Sequence, residues 1–552
     1  MHSIVKPLLA ACAAAAAGTA LAAGFAGVPH ANPKAPGFSA PNVLTPELVE
    51  VIVAQGSTRL ENPAALDFGG GATSVITSYG YYGDGPFLPL PGDVQSATHD
   101  VEATKSEPDK NTYLVLRGQR GADPSHDYGT HFLFQGHEAG AATVPGRRAS
   151  FVTRINLDAD ADHRVTLLAA ADRDGRPLPP IDGSTWDPFA RKLLFTAELG
   201  AGGGVFQATL DFPSVVEEVA AMGRGGYEGI QNDSDGNLWI AEDVGGATVS
   251  STNRSRQPNS FLFRFVPARR GDLTRGRLEV LQVLSLRTGE PIVFHPGQLV
   301  ADITSDDQKD LHTYGKSLPT RWVTVHDTAS DGTAPFDANA LAKAKGGTPF
   351  RRPENGVFRP GSRFTELFFD ETGDTDIRTQ AAALGGFGSV FRLTQASPSA
   401  GQGRISLFYL GDAAHSGFDN VAFLDRNHVV FVEDAGDTLH AQRNALDSAW
   451  MLDARLDYSD PANQPVRLLA QGRDPSATID SALSGSPGFQ NDGDNELTGI
   501  HVSDGDPSPE GILGARVPHP FRDGWRAFYT QQHGDNVTWE LLPARGEPPD
   551  LE

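Results

Sequence analysis

Two stretches of this 552-residue chain lie over one another without a gap. "YEGIQNDSDGNLWIAEDVG" begins at Tyr227 and "FDNVAFLDRNHVVFVEDAG" at Phe418. Glu228 then falls on Asp419, Ile230 on Val421 and Leu238 on Val429, Glu242-Asp243 on Glu433-Asp434, and Gly245 on Gly436. Weaker copies follow with small gaps. Asp182 leads to "LLFTAELG" and Glu198, Glu354 leads to "ELFFDETG" and Glu371, and Glu496 leads past an insertion to "AFYTQQHG". Each unit opens on an acid, runs through a strand, a turn and a second strand, and closes on a polar or acidic pair before glycine. A strand-and-turn unit recurring every few tens of residues predicts an all-β chain, a β-propeller, with blades around an axis. Opening acids spaced about 46 to 126 residues apart require long insertions between or within blades. A pair of β-sandwiches is the alternative that such irregular spacing leaves open.

The rest of the chain agrees with strands and turns. "TYLVLRG" from Thr112, "RKLLFTAE" from Arg191 and "RAFYTQQHG" from Arg526 are short apolar or β-branched runs bounded by turn residues. The 61 glycines and 39 prolines show no collagen-like period and favour turns over long helices. Helical patterning is confined to Ala340–Lys345 and Asp376–Leu384.

If the opening acids sit at corresponding ends of inner strands, they converge on the channel. Carboxylates gathered without a counter-charge repel and resist ionisation, and a hard divalent cation relieves that conflict. Oxygen-only ligation suits calcium. Within the strongest repeat, Gln231, Asp233, Asp235, Gly236 and Glu242 imitate positions 1, 3, 5, 6 and 12 of an EF-hand loop. The first position lacks an acid and no helix pair flanks it, so Asp233–Gly236 is expected to be a turn between strands. The acidic run Asp158–Asp162 is expected to be a solvated turn. Other chemistries lack their motifs. There is no G-x-S-x-G, His137-Glu138 has no second histidine, and Gly315-Lys316-Ser317 has Asp310 where a P-loop needs glycine. A net charge of −24 with scattered acids argues against nucleic acid.

Lys6, the apolar run Leu8–Ala17 and Ala20-Leu21-Ala22 form a secretory leader with an A-x-A cleavage site. The run is too short for a membrane span. Leu9-Ala10-Ala11-Cys12 also resembles a lipoprotein box, with lipid anchoring at Cys12 as the lesser alternative. Cys12 is the single cysteine, so cleavage leaves no disulfide and no thiolate ligand.

In order and combination, "YGTHFLFQGHE" (Tyr128–Glu138), "YEGI" at Glu228, "RRPENG" from Arg351, "FDNV" at Asp419 and "NELTGI" followed by "QQHG" resemble the PhoX family of bacterial alkaline phosphatases. The resemblance spans about Asp100 to His533. It implies a six-bladed propeller with insertions whose acid-lined channel holds calcium ions and an iron pair. Glu228, Glu354, Asp419 and Glu496 match the family's carboxylate ligands, Glu198 is a further candidate, and Arg352 matches a phosphate-binding arginine with a catalytic and substrate-binding role. Where the family places a cysteine ligand on iron, this chain has "PPIDGSTWDPF" (Pro179–Phe189), with Asp182 nearest. Its leader has one basic residue in place of a twin arginine, which suits general secretion and a calcium site filled outside the cytoplasm better than an iron centre.

The expectation is therefore an exported, periplasmic or extracellular monomer, with a leader over 1–22, a flexible segment over 23–45 and one propeller over 46–545. It would hydrolyse a small phosphoester, a monoester or a diester, in a calcium-containing site, without nucleic acid and without a membrane span. The alternative is a non-catalytic, calcium-stabilised propeller that binds a ligand or partner.

Overall fold

The apolar runs become strands because four to seven β-branched, aromatic or leucine residues are cut off at each end by glycine, aspartate or asparagine. They form Lys192–Ala197, Leu238–Glu242, His428–Glu433 and Arg526–Gln532. The computed structural model describes residues 24–34, 41–67, 73–82, 106–138, 150–472, 496–532 and 536–544. The leader, Cys12 and His533 lie outside the described residues.

Hydrogen bonding groups the strands into five sheets. One is a plain four-stranded meander from Ile181–Asp187 to Val216–Glu218. The sheet opening on Glu107–Val115 and the one opening on Phe418–Phe423 add N-terminal strands at their outer edges. The sheet opening on Glu496–Ser503 is completed by Leu48–Ala54, which pairs antiparallel with Val537–Pro543 and so ties the two ends of the chain together. The fifth sheet has nine strands. Two four-stranded meanders, starting at Tyr227–Asn232 and Gly356–Phe358, are joined by Ser317–Asp327, which pairs with the outermost strand of each. This eleven-residue strand comes from the long insertion after Val283.

The six strands that open these meanders follow one another around an axis, each touching the next. The Thr112 and Ser184 hydroxyls meet at 2.8 Å, and Asn232 Nδ2 donates to the Trp186 carbonyl at 2.8 Å. Gly229 N–H donates to the carbonyl of Glu354, just ahead of Gly356–Phe358, at 2.8 Å, and Val357 of that strand packs with Val421 of the next. Gly499 N–H donates to Asn420 Oδ1 at 3.1 Å, and Asn111 Nδ2 closes the ring on the Gly499 carbonyl at 2.9 Å. The chain is an all-β protein with a propeller arrangement.

Apolar side chains fill the spaces between neighbouring sheets. Leu194 and Val205 pack with Ile230, Ile240 and Phe263, while Leu114 and Phe134 pack with Leu193 and Phe195. Each meander buries both faces this way, which leaves polar residues to the inner strand ends.

Three local expectations need amending. Within 23–45, expected to be flexible, Phe25 and Val28 are buried and Val43–Leu44 pairs with Leu469–Ala470. The Phe25 and Val28 side chains find a surface that composition does not reveal. The helix expected at Ala340–Lys345 runs Ala338–Ala344, with the Asp337 carboxylate accepting from Ala340 N–H. Asp376–Leu384 contains only the short 3-10 turn Ala382–Leu384, because Asp376 is bound by Arg378 and by Gln442. Among the described residues no helix is long and apolar enough to cross a membrane.

Candidate metal centre

Four acids, Asp109, Asp182, Glu228 and Asp419, reach the channel through a repeated backbone irregularity. Tyr227 pairs with Glu242 and Ile230 with Ile240, so Glu228 and Gly229 sit in a bulge with one residue extra on the inner strand. The same shift places Asp419-Asn420 between Phe418 and Val421, and Asp109-Lys110 between Pro108 and Asn111. It also places Asp182-Gly183 between Ile181 and Ser184. A bulge frees its residues from the ladder and re-aims their side chains, here toward the axis. Glycine after the acid admits the next strand. A Cβ on Gly183 would lie 2.2 Å from the Glu228 carbonyl oxygen, and one on Gly229 would lie 2.5 Å from that of Glu354.

The acids then meet. Glu228, Glu354 and Asp419, all buried, offer carboxylate oxygens within 4.8 Å of one another. Asp182, Glu198 and Glu228 form a second such group, and Asp109, Glu138 and Asp182 a third. Because Glu228 and Asp182 are shared, the three groups run continuously around the channel. Burial first, and neighbouring carboxylates after it, raise Glu228, Asp182 and Glu198 well above the usual carboxylate range. Glu354, Asp419 and Glu496 are raised in the same way. Asp182 Oδ1 and Asp419 Oδ2 make no hydrogen bond among the described residues although they are buried. Buried, all-oxygen, under-satisfied donors of this kind fit a hard divalent cation.

Two cations stand among the acids, Arg352 as the resemblance implied and Lys110 unforeseen. Lys110, 3% exposed, donates from Nζ to Asn355 Oδ1 at 2.6 Å and faces Asp419, Asp370, Asp109 and Glu228. Arg352 donates from Nε to both Asp243 oxygens, at 2.8 and 3.1 Å, and its Nη2 lies 3.4 Å from Glu354 Oε1. Its backbone is left-handed, φ 60°, which a non-glycine residue adopts at a cost. Thr372 N–H holds the Arg352 carbonyl at 2.9 Å.

The paired acids that close each repeat divide their work. Glu242 is buried and structural: its Oε2 accepts from Asn339 Nδ2 at 2.8 Å and from Phe261 N–H at 3.2 Å. Glu433 likewise accepts from the N–H groups of Ser416 and Ser448. The second acid faces the centre. Asp243 holds Arg352, and the Asp434 charge acts on Glu496 and Asp419. Glu198 occupies the same place in its own sheet, its N–H bonded to Pro180 as that of Asp243 is to Gly226.

Burial pushes the Glu242 carboxyl up to about 8. The folded chain therefore keeps a proton that the unfolded chain releases above about pH 4.3. Glu242→Gln is expected to raise the melting temperature by a margin that grows from about pH 5 to pH 8 and then levels off. A margin in thermal unfolding that stays constant or shrinks over this window would contradict the assignment.

Of the residues chosen from sequence, Glu228, Glu354 and Asp419 come together, Glu198 meets Glu228 and Asp182 in a second group, and Arg352 lies beside Glu354. Glu496 is placed differently. It pairs with Gln532, and Gly499 holds the bulge in that strand. Glu496 still belongs to the pool of acids that shift one another. Asp109, Lys110, Glu138 and Asp243 were not chosen from sequence. "PDKN" before "TYLVL" is an acid opening a strand, the one signal that could have found Asp109. The Asp233 carboxylate is consumed by its own turn, accepting from Asp235 N–H, Asn237 and Trp239 Nε1. Asp158 caps the N–H groups of Thr130 and His131 in a surface turn.

No protein-family model matches the sequence, and no curated protein matches it. Among solved structures, Pseudomonas fluorescens PhoX in complex with vanadate, a transition state analogue, has a TM-score of 0.53 at 11% identity, covering 96% of this chain and 100% of that one. The two chains share a fold. YCF48 from Cyanidioschyzon merolae has a TM-score of 0.28 at 11% identity, over 82% of this chain and 98% of its own. A glucose dehydrogenase has a TM-score of 0.25 at 12% identity, over 66% and 96%. Both are too distant to inform the site.

Proposed function

We propose that the chain is an exported, metal-dependent phosphoester hydrolase on a six-bladed propeller, with calcium held by Glu228, Glu354, Asp419, Asp182, Glu198 and Glu496. The observation that carries this reading is the run of three overlapping carboxylate groups beside an oriented arginine. Six blades are supported by the ring of six linked inner strands, the nine-stranded sheet being two blades fused by Ser317–Asp327. The fold shared with PhoX supports the propeller arrangement. The lack of any cysteine beyond the leader favours calcium over a thiolate-bound iron centre.

A phosphomonoester carries about two negative charges near neutral pH. Bound cations would offset that charge and polarise the phosphoryl oxygens. The protein's own residues then have defined tasks. Asp243 orients Arg352, whose Nη1 has no hydrogen-bond partner among the described residues and can donate to a phosphate oxygen. Thr372 Oγ1 donates to Glu354 and holds that carboxylate toward Glu228 and Asp419. Lys110, held by Asn355 and facing the carboxylates, offsets part of their charge when protonated.

The test uses the mature, calcium-loaded protein with p-nitrophenyl phosphate and bis-p-nitrophenyl phosphate across about pH 6 to 10. Hydrolysis of at least one ester is expected. Arg352→Ala should lower kcat/KM about 100-fold while leaving the bound calcium unchanged. Full calcium occupancy with neither ester hydrolysed would instead favour the non-catalytic, calcium-stabilised propeller.

A further inference from the structure

Near Arg352 stands a second arginine whose guanidinium has no hydrogen-bonded or ion-paired partner among the described residues. Arg256 lies in the loop that follows Gly246, and its backbone is held on both sides. Its N–H donates to Asp374 Oδ1 at 3.0 Å, and its carbonyl accepts from Arg351 Nη1 at 2.8 Å. Among the described residues its half-buried guanidinium makes no hydrogen bond and no ion pair. Other inward arginines are anchored: Arg264 by Glu279, Arg443 by Glu433 and Asp447, Arg352 by Asp243.

Arg256 and Arg352 lie against the same two loops, Asp243–Gly245 and Thr372–Asp374. Arg352 is bound by Asp243, and two residues further on a Cβ at Gly245 would lie 2.8 Å from Arg256 Nη1. The glycine thus makes room for the Arg256 head over the loop that orients Arg352. On the other side, Thr372 N–H holds the Arg352 carbonyl and Asp374 holds the Arg256 N–H. Burial and the nearby Arg352 charge both lower the Arg256 guanidinium, and Asp243 and Asp374 offset this only in part. The nearby charges are already engaged. Asp243 is bound to Arg352, Asp374 accepts from Thr379 Oγ1 and lies 3.7 Å from Arg351, and Arg254 lies 3.5 Å from Asp376.

Asp243 and Glu354 engage Arg352 from Nε and Nη2 only, which leaves its Nη1 and the whole Arg256 guanidinium as donors for an anion, and a planar fork of donors suits a carboxylate or a phosphate. We propose that Arg256 forms an anion subsite next to the Arg352 clamp, which takes a second negatively charged group on the leaving-group side of a phosphoester. The preferred ligand class is then a phosphoester whose alcohol part carries a carboxylate or a further phosphate. The substrate role rests on the hydrolase reading given above; the binding preference does not.

The experiment measures binding by calorimetry to the calcium-loaded protein, using the non-hydrolysable phosphonate counterparts of three esters. One is glycerol phosphate, one is 3-phosphoglycerate, and one is propanediol bisphosphate. Wild type is expected to bind the second and third about tenfold more tightly than the first, and the relative gain of these two tells a carboxylate from a phosphate as the preferred group. Arg256→Gln is expected to remove that preference, and Arg256→Lys to keep part of it. Arg352→Ala is expected to weaken all three alike. Absence of the preference in wild type, or its survival in a folded Arg256→Gln variant, overturns the subsite. If the preference is present but none of the three parent esters is hydrolysed, the subsite stands and the hydrolase reading fails.

Discussion

Stripping calcium with EGTA is expected to abolish phosphoester hydrolysis and to lower the melting temperature by roughly 10 °C, both reversed by adding calcium. The cause is the crowding of Asp109, Asp182, Glu198, Glu228, Glu354 and Asp419 around one channel, where burial and mutual repulsion disfavour the ionised forms. A cation that binds only the folded chain at a thousandfold excess over its dissociation constant adds about 4 kcal/mol per site. If each of the three groups holds one ion, the total is about 12 kcal/mol. Unfolding a chain of this length carries an entropy near 1 kcal/mol per kelvin, so each kcal/mol moves the midpoint by about 1 °C. Metal analysis, calorimetry and ester turnover on one preparation provide the check. An unchanged midpoint and rate after EGTA would remove calcium from the account, and loss with phenanthroline alone would move the site to a transition metal.

The metal-free protein is expected to become more stable as the pH falls from about 8 to about 5, opposite to ordinary acid unfolding. Folded-state values for Asp182, Glu198, Glu228, Glu354, Asp419 and Glu496 lie above those of the unfolded chain. Between the two sets of values the folded chain binds more protons, so stability is lost as the pH rises and is largest near the unfolded carboxylate range of about 4. Each additional proton held by the fold contributes about 1.4 kcal/mol per pH unit. Lys110, lowered by burial, works against this trend. Protons and calcium compete for the same oxygens, so the stabilisation by calcium should be largest at pH 8 and shrink toward pH 5. Thermal melts with and without calcium at several pH values test both slopes. A metal-free midpoint that falls steadily with acidification would show that these acids are ionised without help and that no cation is needed to hold them together.

Much of the fold was legible because strand grammar is local. Short apolar runs cut by glycine and aspartate became strands, and the ungapped match of Tyr227–Gly245 with Phe418–Gly436 marked two units whose inner strands carry the same bulge. The number of independent sheets was not legible. Ser317–Asp327 pairs with strands far away on both sides, and such pairing depends on where the insertion folds back. The acids Glu228, Glu354 and Asp419 could be chosen from sequence because each begins a unit. Asp243 and Asp434 could not be told from Glu242 and Glu433, since neighbours on a strand end point to opposite faces and no periodic signal says which face is the channel.

Composition and repeats alone settled an all-β chain with recurrent acids and few helices, since propensity and turn chemistry act over a handful of residues. Only the tertiary structure decided that Lys110 would stand among those acids, that Asp243 would hold Arg352, that Glu496 would sit off the bulge, and that the Arg256 guanidinium would lack a partner among the described residues. These facts depend on contacts between residues up to several hundred positions apart, such as Lys110 with Asn355. Burial and neighbouring charge, which set the chemistry of a carboxylate, exist only once such contacts have formed.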